Sequence, residues 1–544
     1  MATDTSIPEV VSAWAPLRQP LFRSLWLASL VSNLGGWMQD TAGTWLMVSL
    51  TSSPLLIALM QTAASFPVLI LGLPAGAVGD IVERRRLLIF WQSWMLVAVL
   101  ILSVFTFAGM ISPWALLMLT FMLNIGVAVN GPAWQAIIPE LVPRSLVPNA
   151  VAINSAQFNL ARALGPAIGG LLVAVYASTY KGAGSVFFLN SLSFLAVIWV
   201  LAQWQRSPIF KSALPAERLF GSMRSGVRYL RHSPPLRAVL IRCFSFTVAV
   251  SAVWALLAVV AQRELHQGAM GYGILNGCLG AGAVVGAVTL PTLRAKYSPD
   301  QIVFGASLTL AGTLATMAFA HFVALVVLSL IAGGFAWTSA SSTFNVAVQL
   351  SAPAWVQGRA QGIYQMCFQG GMATGSALFG YLAEHRSTRA ALAAAAATLL
   401  AGILWGARYR LPYGAPPDLN PSPLDRTALS LELDPKPGDG PVLVTIEYLV
   451  RAEEYDAFTR AIHKLRDVRL RDGSIRWGTY QDAAQPGRFV ENFVVESWLE
   501  YLRQRERMTA SDLLVREHVR GFHQGEEPPV VSHMIYARPF ARPG

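Results

Sequence analysis

The chain is 544 residues long, 54% hydrophobic and only 13% charged, with a formal net charge of +11 at pH 7. An ordinary soluble domain carries about 25% charged residues, and a water-soluble globule of this composition would lack the polar groups to cover its surface. A soluble nucleic-acid binder is excluded too, because the basic residues punctuate apolar runs instead of gathering on one solvated face. Residues 1–440 hold 26 Lys+Arg against 15 Asp+Glu, and residues 441–544 hold 15 of each, so the basic excess belongs to the apolar part.

A helix needs about 20 apolar residues to cross the hydrocarbon core. After a mixed N-terminal stretch (1–20) without a cleavable signal pattern, the hydropathy predicts spans at 21–50, 54–79, 86–110, 113–138, 148–177 and 184–205. A longer loop, 206–235, follows; its Arg218, Leu219, Met223, Arg224, Val227, Arg228, Leu230 and Arg231 make a basic amphipathic pattern. That pattern suits either an interfacial helix on the membrane surface or a solvated connector. Six more spans are predicted at 236–262, 272–294, 300–321, 323–350, 358–383 and 388–410. The fold class is therefore all-α membrane, with twelve transmembrane helices and an α+β domain behind them. An even number of spans puts both termini on one side. Arg18, Arg23, Arg84–Arg86, Arg144, Arg294, Lys296, Arg359, Arg408 and Arg410 concentrate on that side, which makes it the cytoplasm of a bacterial inner membrane.

The sequence repeats at an offset of 210 residues. Gly72 and Gly76 fall on Gly282 and Gly286, Arg84 and Arg86 on Arg294 and Lys296, Phe158 on Phe368, Gly165 on Gly375, and Gly170 on Gly380. One register joining spans 2 with 8, 4 with 10 and 5 with 11 predicts two six-helix halves, 21–205 and 236–410. Facing halves of that kind are the architecture of alternating access. Cys243, Cys278 and Cys367 lie in apolar segments with no metal or redox spacing and read as core residues.

Past Arg410 the composition changes. Residues 411–440 form a proline-rich linker, and 441–544 read as a soluble domain. Val442–Val450, Ser474–Asp482, Phe489–Glu496 and Val530–Ala537 alternate as strands, with helical periodicity at 452–470 and 498–522; that order is the ferredoxin-like βαββαβ motif.

The strongest local signal is Gly76-Ala-Val-Gly-Asp80-Ile-Val-Glu-Arg84-Arg85-Arg86. It resembles the loop 2–3 motif of the major facilitator superfamily, which implies a gating role for Gly76, Asp80, Arg84, Arg85 and Arg86. Ile81 and Glu83 depart from the pattern. Arg162-Ala-Leu-Gly165-Pro166-Ala-Ile-Gly169-Gly170 looks like the family's antiporter motif, with Ala152 and Ala161 replacing earlier glycines. Gly165, Pro166, Gly169 and Gly170 would let helices approach closely, and the motif tilts the direction of transport toward efflux. The resemblance is closest to the branch that includes bacterial enterobactin exporters, and it covers residues 20–410. The tail resembles small dimeric domains of the antibiotic-biosynthesis monooxygenase type, which implies regulation or self-association. Its His463, Trp477, Trp498, His518, His523 and His533 lack metal spacing, and Arg505 stands where relatives often have histidine.

Ionisable groups inside a membrane are expensive and tend to be functional. Asp40 and Arg162 lie at similar depth in spans one and five, which predicts an ion pair and makes them candidates for proton coupling. Glu140 and Arg242 read as interfacial and carry less weight. Asn33, Gln39, Asn124 and Asn130 are candidates for polar cavity lining; Asn154, Gln157, Asn345, Gln365 and Gln369 either line the cavity or link helices. The expectation is a proton-coupled exporter of a small amphipathic molecule, with lipid, substrate and protons as partners and without cofactor, metal or nucleic acid. No nucleotide-binding motif is present. The alternative is a transporter-like protein whose tail is a monooxygenase-like enzyme or a sensor.

Overall fold

The computed structural model describes residues 14–81, 83–143, 146–204, 219–353, 355–413, 418–420, 422, 433 and 435–537. Among the described residues, thirteen α-helices precede the tail. They are α1 (Pro20–Leu50), α2 (Pro54–Ile81), α3 (Arg84–Phe107), α4 (Pro113–Leu141), α5 (Val147–Val175), α6 (Thr179–Gln203), α7 (Leu219–Arg231), α8 (Pro234–Arg263), α9 (Ala269–Lys296), α10 (Pro299–Phe319), α11 (Val323–Ser351), α12 (Gln357–His385) and α13 (Thr388–Gly406). All but α7 are long, and ten of those twelve are apolar enough along a sufficient stretch to cross a membrane. The other two, α1 and α12, are broken up by polar residues such as Asn33, Gln39 and Asp40 or Gln361, Gln365 and Gln369.

Local chemistry sets where these helices begin. Proline occupies the first position of α1, α2, α4, α8 and α10, where its missing N–H is not needed. Ser112, Ser298 and Ser387 accept from the backbone N–H of the residue three further on, capping α4, α10 and α13. The repeat is visible in the element boundaries. Helices α4 and α11 run 113–141 and 323–351, and α5 and α12 run 147–175 and 357–385, so both ends of both pairs are shifted by 210 residues. The twelve long helices make two sets of six, and these two pairs keep the 210-residue register of the sequence.

Within the helices, hydroxyls bond back to their own backbone: Thr41 donates to Trp37 O at 3.1 Å, Thr106 to Leu102 O at 2.7 Å and Thr343 to Ser339 O at 2.6 Å. Where no water is available, that is how a small polar side chain is satisfied without a distant partner.

The tail carries β1 (Val442–Leu449), α14 (Tyr455–Asp472), β2 (Arg476–Gln481), β3 (Arg488–Val495), α15 (Trp498–Arg507), α16 (Ala510–Arg520) and β4 (Val530–Ile535). The sheet order is β2-β3-β1-β4, antiparallel throughout, with Val444 opposite Phe493 on one side and His533 on the other. On β1 the residues Val442, Val444, Ile446 and Tyr448 alternate inward onto Phe458, Ile462 and Leu465 of α14. The single helix expected at 498–522 is two. Thr509 starts the second with a reciprocal capping box to Asp512, so the backbone turns at Met508–Thr509.

The chain divides into two compact units. One comprises 1–216, 239–346 and 362–411; the other comprises 217–238, 347–361 and 412–544. The second unit therefore holds α7, the first residues of α8 and the corner between α11 and α12, as well as the tail.

Candidate transport site

Three helices of the first unit meet where the sequence places Asp40 and the antiporter-like motif. Helix α5 packs against α1 and α9, closely so along its C-terminal half. A side chain on Gly165 would meet Trp37 Cβ at 2.5 Å, and one on Gly169 would meet Met38 O at 2.7 Å and its Cα at 2.8 Å. On the other flank, a side chain on Gly170 would meet Ala269 O at 2.7 Å and Gly273 Cα at 2.9 Å. A Cβ on Gly273 would in turn meet Pro166 O at 2.7 Å, and one on Gly280 would meet Arg162 O at 2.7 Å. Gly165 and Gly169 thus serve the contact within the first half, and Gly170 serves the contact between halves. Lipid offers no hydrophobic force between helices, so close backbone approach is what holds them.

That register decides the fate of the expected ion pair. Gly169 lies level with Met38 and Gly165 with Leu34–Trp37, so Arg162 lies near residue 33 of α1. At 1.5 Å per residue it is about 10 Å short of Asp40 along the axis. Among the described residues the two form no ion pair; the Arg162 guanidinium instead lies 5.7 Å from the centre of the Trp37 ring. Trp37 also meets Phe158 edge-on at 6.0 Å. Asp40, one turn beyond Trp37 on α1, is exposed. It lies within electrostatic reach of Tyr272, which has the Thr44 side chain beside it. Tyr272 stacks on Trp45 at 5.9 Å. Cation, indole, carboxylate and phenol therefore follow one another along a seam between the halves. Tyr272 and Thr44 were not foreseen, and no local sequence signal marks them.

The gate-like motif is partly described. Gly76 and Asp80 lie in the last turns of α2, and their side chains fall outside the described residues. Arg84 pairs with Glu140 at 2.6 Å, joining α3 to α4. Arg85 donates to Leu201 O at 2.9 Å and Ala202 O at 2.6 Å, capping the end of α6, and Arg86 pairs with Glu83 at 2.8 Å. Glu140 thus matters more than its interfacial position suggested. Arg242 likewise pairs with Asp300, which also accepts from Leu411 N at 3.2 Å. At the other end the halves are bridged: Glu384 accepts from Ser53 Oγ at 2.9 Å, and Arg263 donates to Ser52 O.

The polar candidates divide into two groups. Gln157 donates to Ser29 Oγ at 2.9 Å, Asn190 donates to Gln39 Oε1 at 2.5 Å, and Asn33 donates to Ser29 Oγ at 3.3 Å. Gln92 donates to Asn130 at 3.4 Å, and Asn124 bonds Thr120 O at 2.9 Å. Gln39, Gln157 and Asn130 therefore link helices. Asn154, Gln365 and Gln369 are half-exposed, the latter two sharing one face of α12 with Gln361; Asn345 on α11 has partners of its own. Beside that face stands an aromatic wall: Trp337 lies 4.6 Å from Trp254, 6.1 Å from Phe246 and 5.3 Å from Phe368, centroid to centroid. Its members come from α8, α11 and α12, at separations in sequence too large for any local pattern. Among the described residues no group of three or more His, Cys, Asp or Glu could hold a metal ion.

A family model described as transmembrane secretion effector, of the major facilitator superfamily, matches residues 11–540. The chain belongs to that family. The match extends into the tail. Curated relatives include a Bacillus subtilis protein named uncharacterized MFS-type transporter YfiS, 24% identical over 383 residues (68% of this chain, 89% of that one). The multidrug efflux pump Tap of Mycolicibacterium fortuitum is 23% identical over 398 residues, 71% of this chain and 95% of Tap. The enterobactin exporter EntS of Shigella boydii is 24% identical over 391 residues, 71% of this chain and 91% of EntS. Among solved structures, the nucleoside transporter NupG superposes with a TM-score of 0.60 at 12% identity, covering 72% of this chain and 99% of NupG. A D-xylose-proton symporter gives 0.55 at 14% identity, covering 72% and 98%. These likenesses carry the fold. The family makes the chain a multi-pass membrane transporter rather than an enzyme.

Proposed function

We propose that the protein exports a small amphipathic molecule by alternating access, driven by protons, from the inner membrane of a bacterium with both termini in the cytoplasm. The observation that carries this reading is the seam of α1, α5 and α9, where Trp45 of α1 stacks on Tyr272 of α9 across the boundary between the halves and Asp40 lies within electrostatic reach of that tyrosine. A carboxylate at a moving boundary changes the charge there when it binds a proton, and that difference biases one arrangement over the other. Arg162 supplies a fixed cation two turns away, held by Trp37 rather than by Asp40. The half-buried Trp254 and Phe368, backed by the buried Trp337, and the half-exposed Gln365 and Gln369 supply the apolar and hydrogen-bonding surfaces an amphipathic cargo needs. Export is favoured by the multidrug efflux pump and the enterobactin exporter among the relatives. Gly76, Asp80 and Arg84–Arg86 are proposed as the cytoplasmic gate.

The test uses proteoliposomes loaded with ethidium under an imposed pH gradient. Asp40→Asn should reduce gradient-driven ethidium movement at least tenfold and leave exchange without a gradient. Undiminished gradient-driven movement in Asp40→Asn would remove Asp40 from the coupling mechanism.

A further inference from the structure

The basic face of α7 meets protein within its own compact unit. Arg228 Nη2 donates to Glu500 Oε1 of α15 at 2.9 Å, and Arg507 Nη1 donates to the same carboxylate at 2.6 Å. Both the Arg228 and Glu500 side chains are about 15% exposed or less, so this pair is largely withdrawn from water. Arg224, one turn back on α7, pairs with Glu496 at a more exposed position. Tyr229 is only 2% exposed, and its hydroxyl donates to Ser351 O at the end of α11 at 2.9 Å. Its ring meets Trp355 edge-on at 5.7 Å, and Arg471 of α14 lies 5.5 Å from its centre. Arg507 lies 4.7 Å over Trp355, and Arg359 at the start of α12 donates to Ser225 of α7 at 2.7 Å.

Three pieces of chain far apart in sequence are thus tied together: the helix that connects the two halves, the corner between α11 and α12, and the tail. The contacts are charged and aromatic, and the strongest use arginines held between a carboxylate and an aromatic ring. Such a joint has two discrete states, made or unmade, since half-breaking it would strand a poorly hydrated charge. Two of the long helices that end in this joint belong to the second half, and α7 is the covalent link from the first half to the second.

We propose that the tail is a clasp that grips α7 and the α11–α12 corner, and that making or releasing this clasp sets the balance between the transporter's alternating conformations. The device goes beyond the export reading, and its test does not depend on a cargo.

Two spin-label distances on the full-length chain in lipid nanodiscs test it, in a background where the three cysteines are replaced. The first pair, at Val227 and Leu514, both exposed, reports the clasp. The second, at Val175 and Met270, also exposed, reports the separation of α5 and α9. In the wild type the clasp distance should be a single narrow peak. The Arg228→Ala/Trp355→Ala double variant should broaden it and shift the populations of the α5–α9 distances at least threefold. Arg228→Lys should restore part of both effects, and Arg224→Ala at the exposed edge should have the smaller effect on each. A broad clasp distance in the wild type overturns the proposal. So does a released clasp with unchanged α5–α9 populations, which would leave the tail a passive passenger. If the double variant elutes as aggregate, Arg224→Ala together with Arg228→Lys decides by the same two distances. A protein that moved no ethidium would still answer this question, so the two readings fail separately.

Discussion

The seam of α1, α5 and α9 and the core of the tail are held by opposite means. In the seam, glycines let backbones touch, and the arginine there has an indole for a neighbour and, among the described residues, no ion pair. In the tail, a fully buried carboxylate, Glu491, sits among apolar side chains and takes Arg469 at 3.1 Å, Trp477 Nε1 at 3.0 Å and Tyr448 Oη at 3.3 Å. The guanidinium of Arg469 also lies 4.5 Å over Phe493. A domain in water can close an apolar core around a satisfied ion pair because burial of its other side chains drives folding. Helices in lipid lack that drive and rely on shape. Volume should therefore break the first region, and charge the second.

The largest effect is expected where volume is least tolerated. Gly169→Leu would push a side chain into the backbone of Met38, and the yield of monodisperse protein on fluorescence-detected gel filtration should fall at least tenfold. Gly36→Leu on the facing helix α1, where a Cβ meets nothing within 4 Å, should leave the yield within twofold. Equal tolerance at both positions would end the close-packing argument. In the tail, Glu491→Gln would leave the buried Arg469 charge unpaired and should destabilise the domain by about 3 kcal/mol. Faster hydrogen exchange of the β1 and β3 amides in the full-length protein would register it; unchanged exchange would mean the ion pair is dispensable.

Between these extremes lies Arg84–Glu140, half-buried at the end of the first half. Glu140→Gln should lower stability by about 1.5 kcal/mol, the scale of a hydrogen bond to a charged group, read as a modest drop in thermal midpoint in detergent. The smallest effect concerns acid. Burial alone would raise the Glu500 carboxyl, but Arg507 and Arg228 outweigh it and hold it below its ordinary value. Arg503 stands nearby at 3.8 Å. A carboxyl lowered in the folded state adds stability above its ordinary value and loses it as pH falls through the lowered one. The Val227–Leu514 distance should thus stay narrow from pH 8 to about 5 and broaden only below the ordinary glutamate value of about 4.3. Broadening near neutrality would point to a different group.

Much of the architecture was legible because lipid writes itself into sequence as apolar runs of the right length. The 210-residue repeat was readable from small residues such as Gly170 and Gly380 and returns in the shared boundaries of α5 and α12. The tail's strands were legible from alternation at Val442, Val444 and Ile446. Features that depend on how one helix slides against another were not. Asp40 and Arg162 look equally deep when counted from their own helix starts, and only the contacts of Gly165 and Gly169 reveal the offset. Arg84 finds Glu140 across 56 residues, and Arg228 finds Glu500 across 272. No window of sequence contains both partners. The basic stripe on α7 invited a membrane-surface reading because lipid headgroups and carboxylates ask for the same arginines.

The crossing of Gly170 and Gly273 has a kinetic consequence. Two interlocked rows of leucines must change rotamers to pass one another, and each change is a barrier. Backbone against backbone has no such teeth, so α5 can roll on α9 along a smooth track. The resistance to switching then falls on side-chain contacts away from this crossing, such as Ser53 with Glu384.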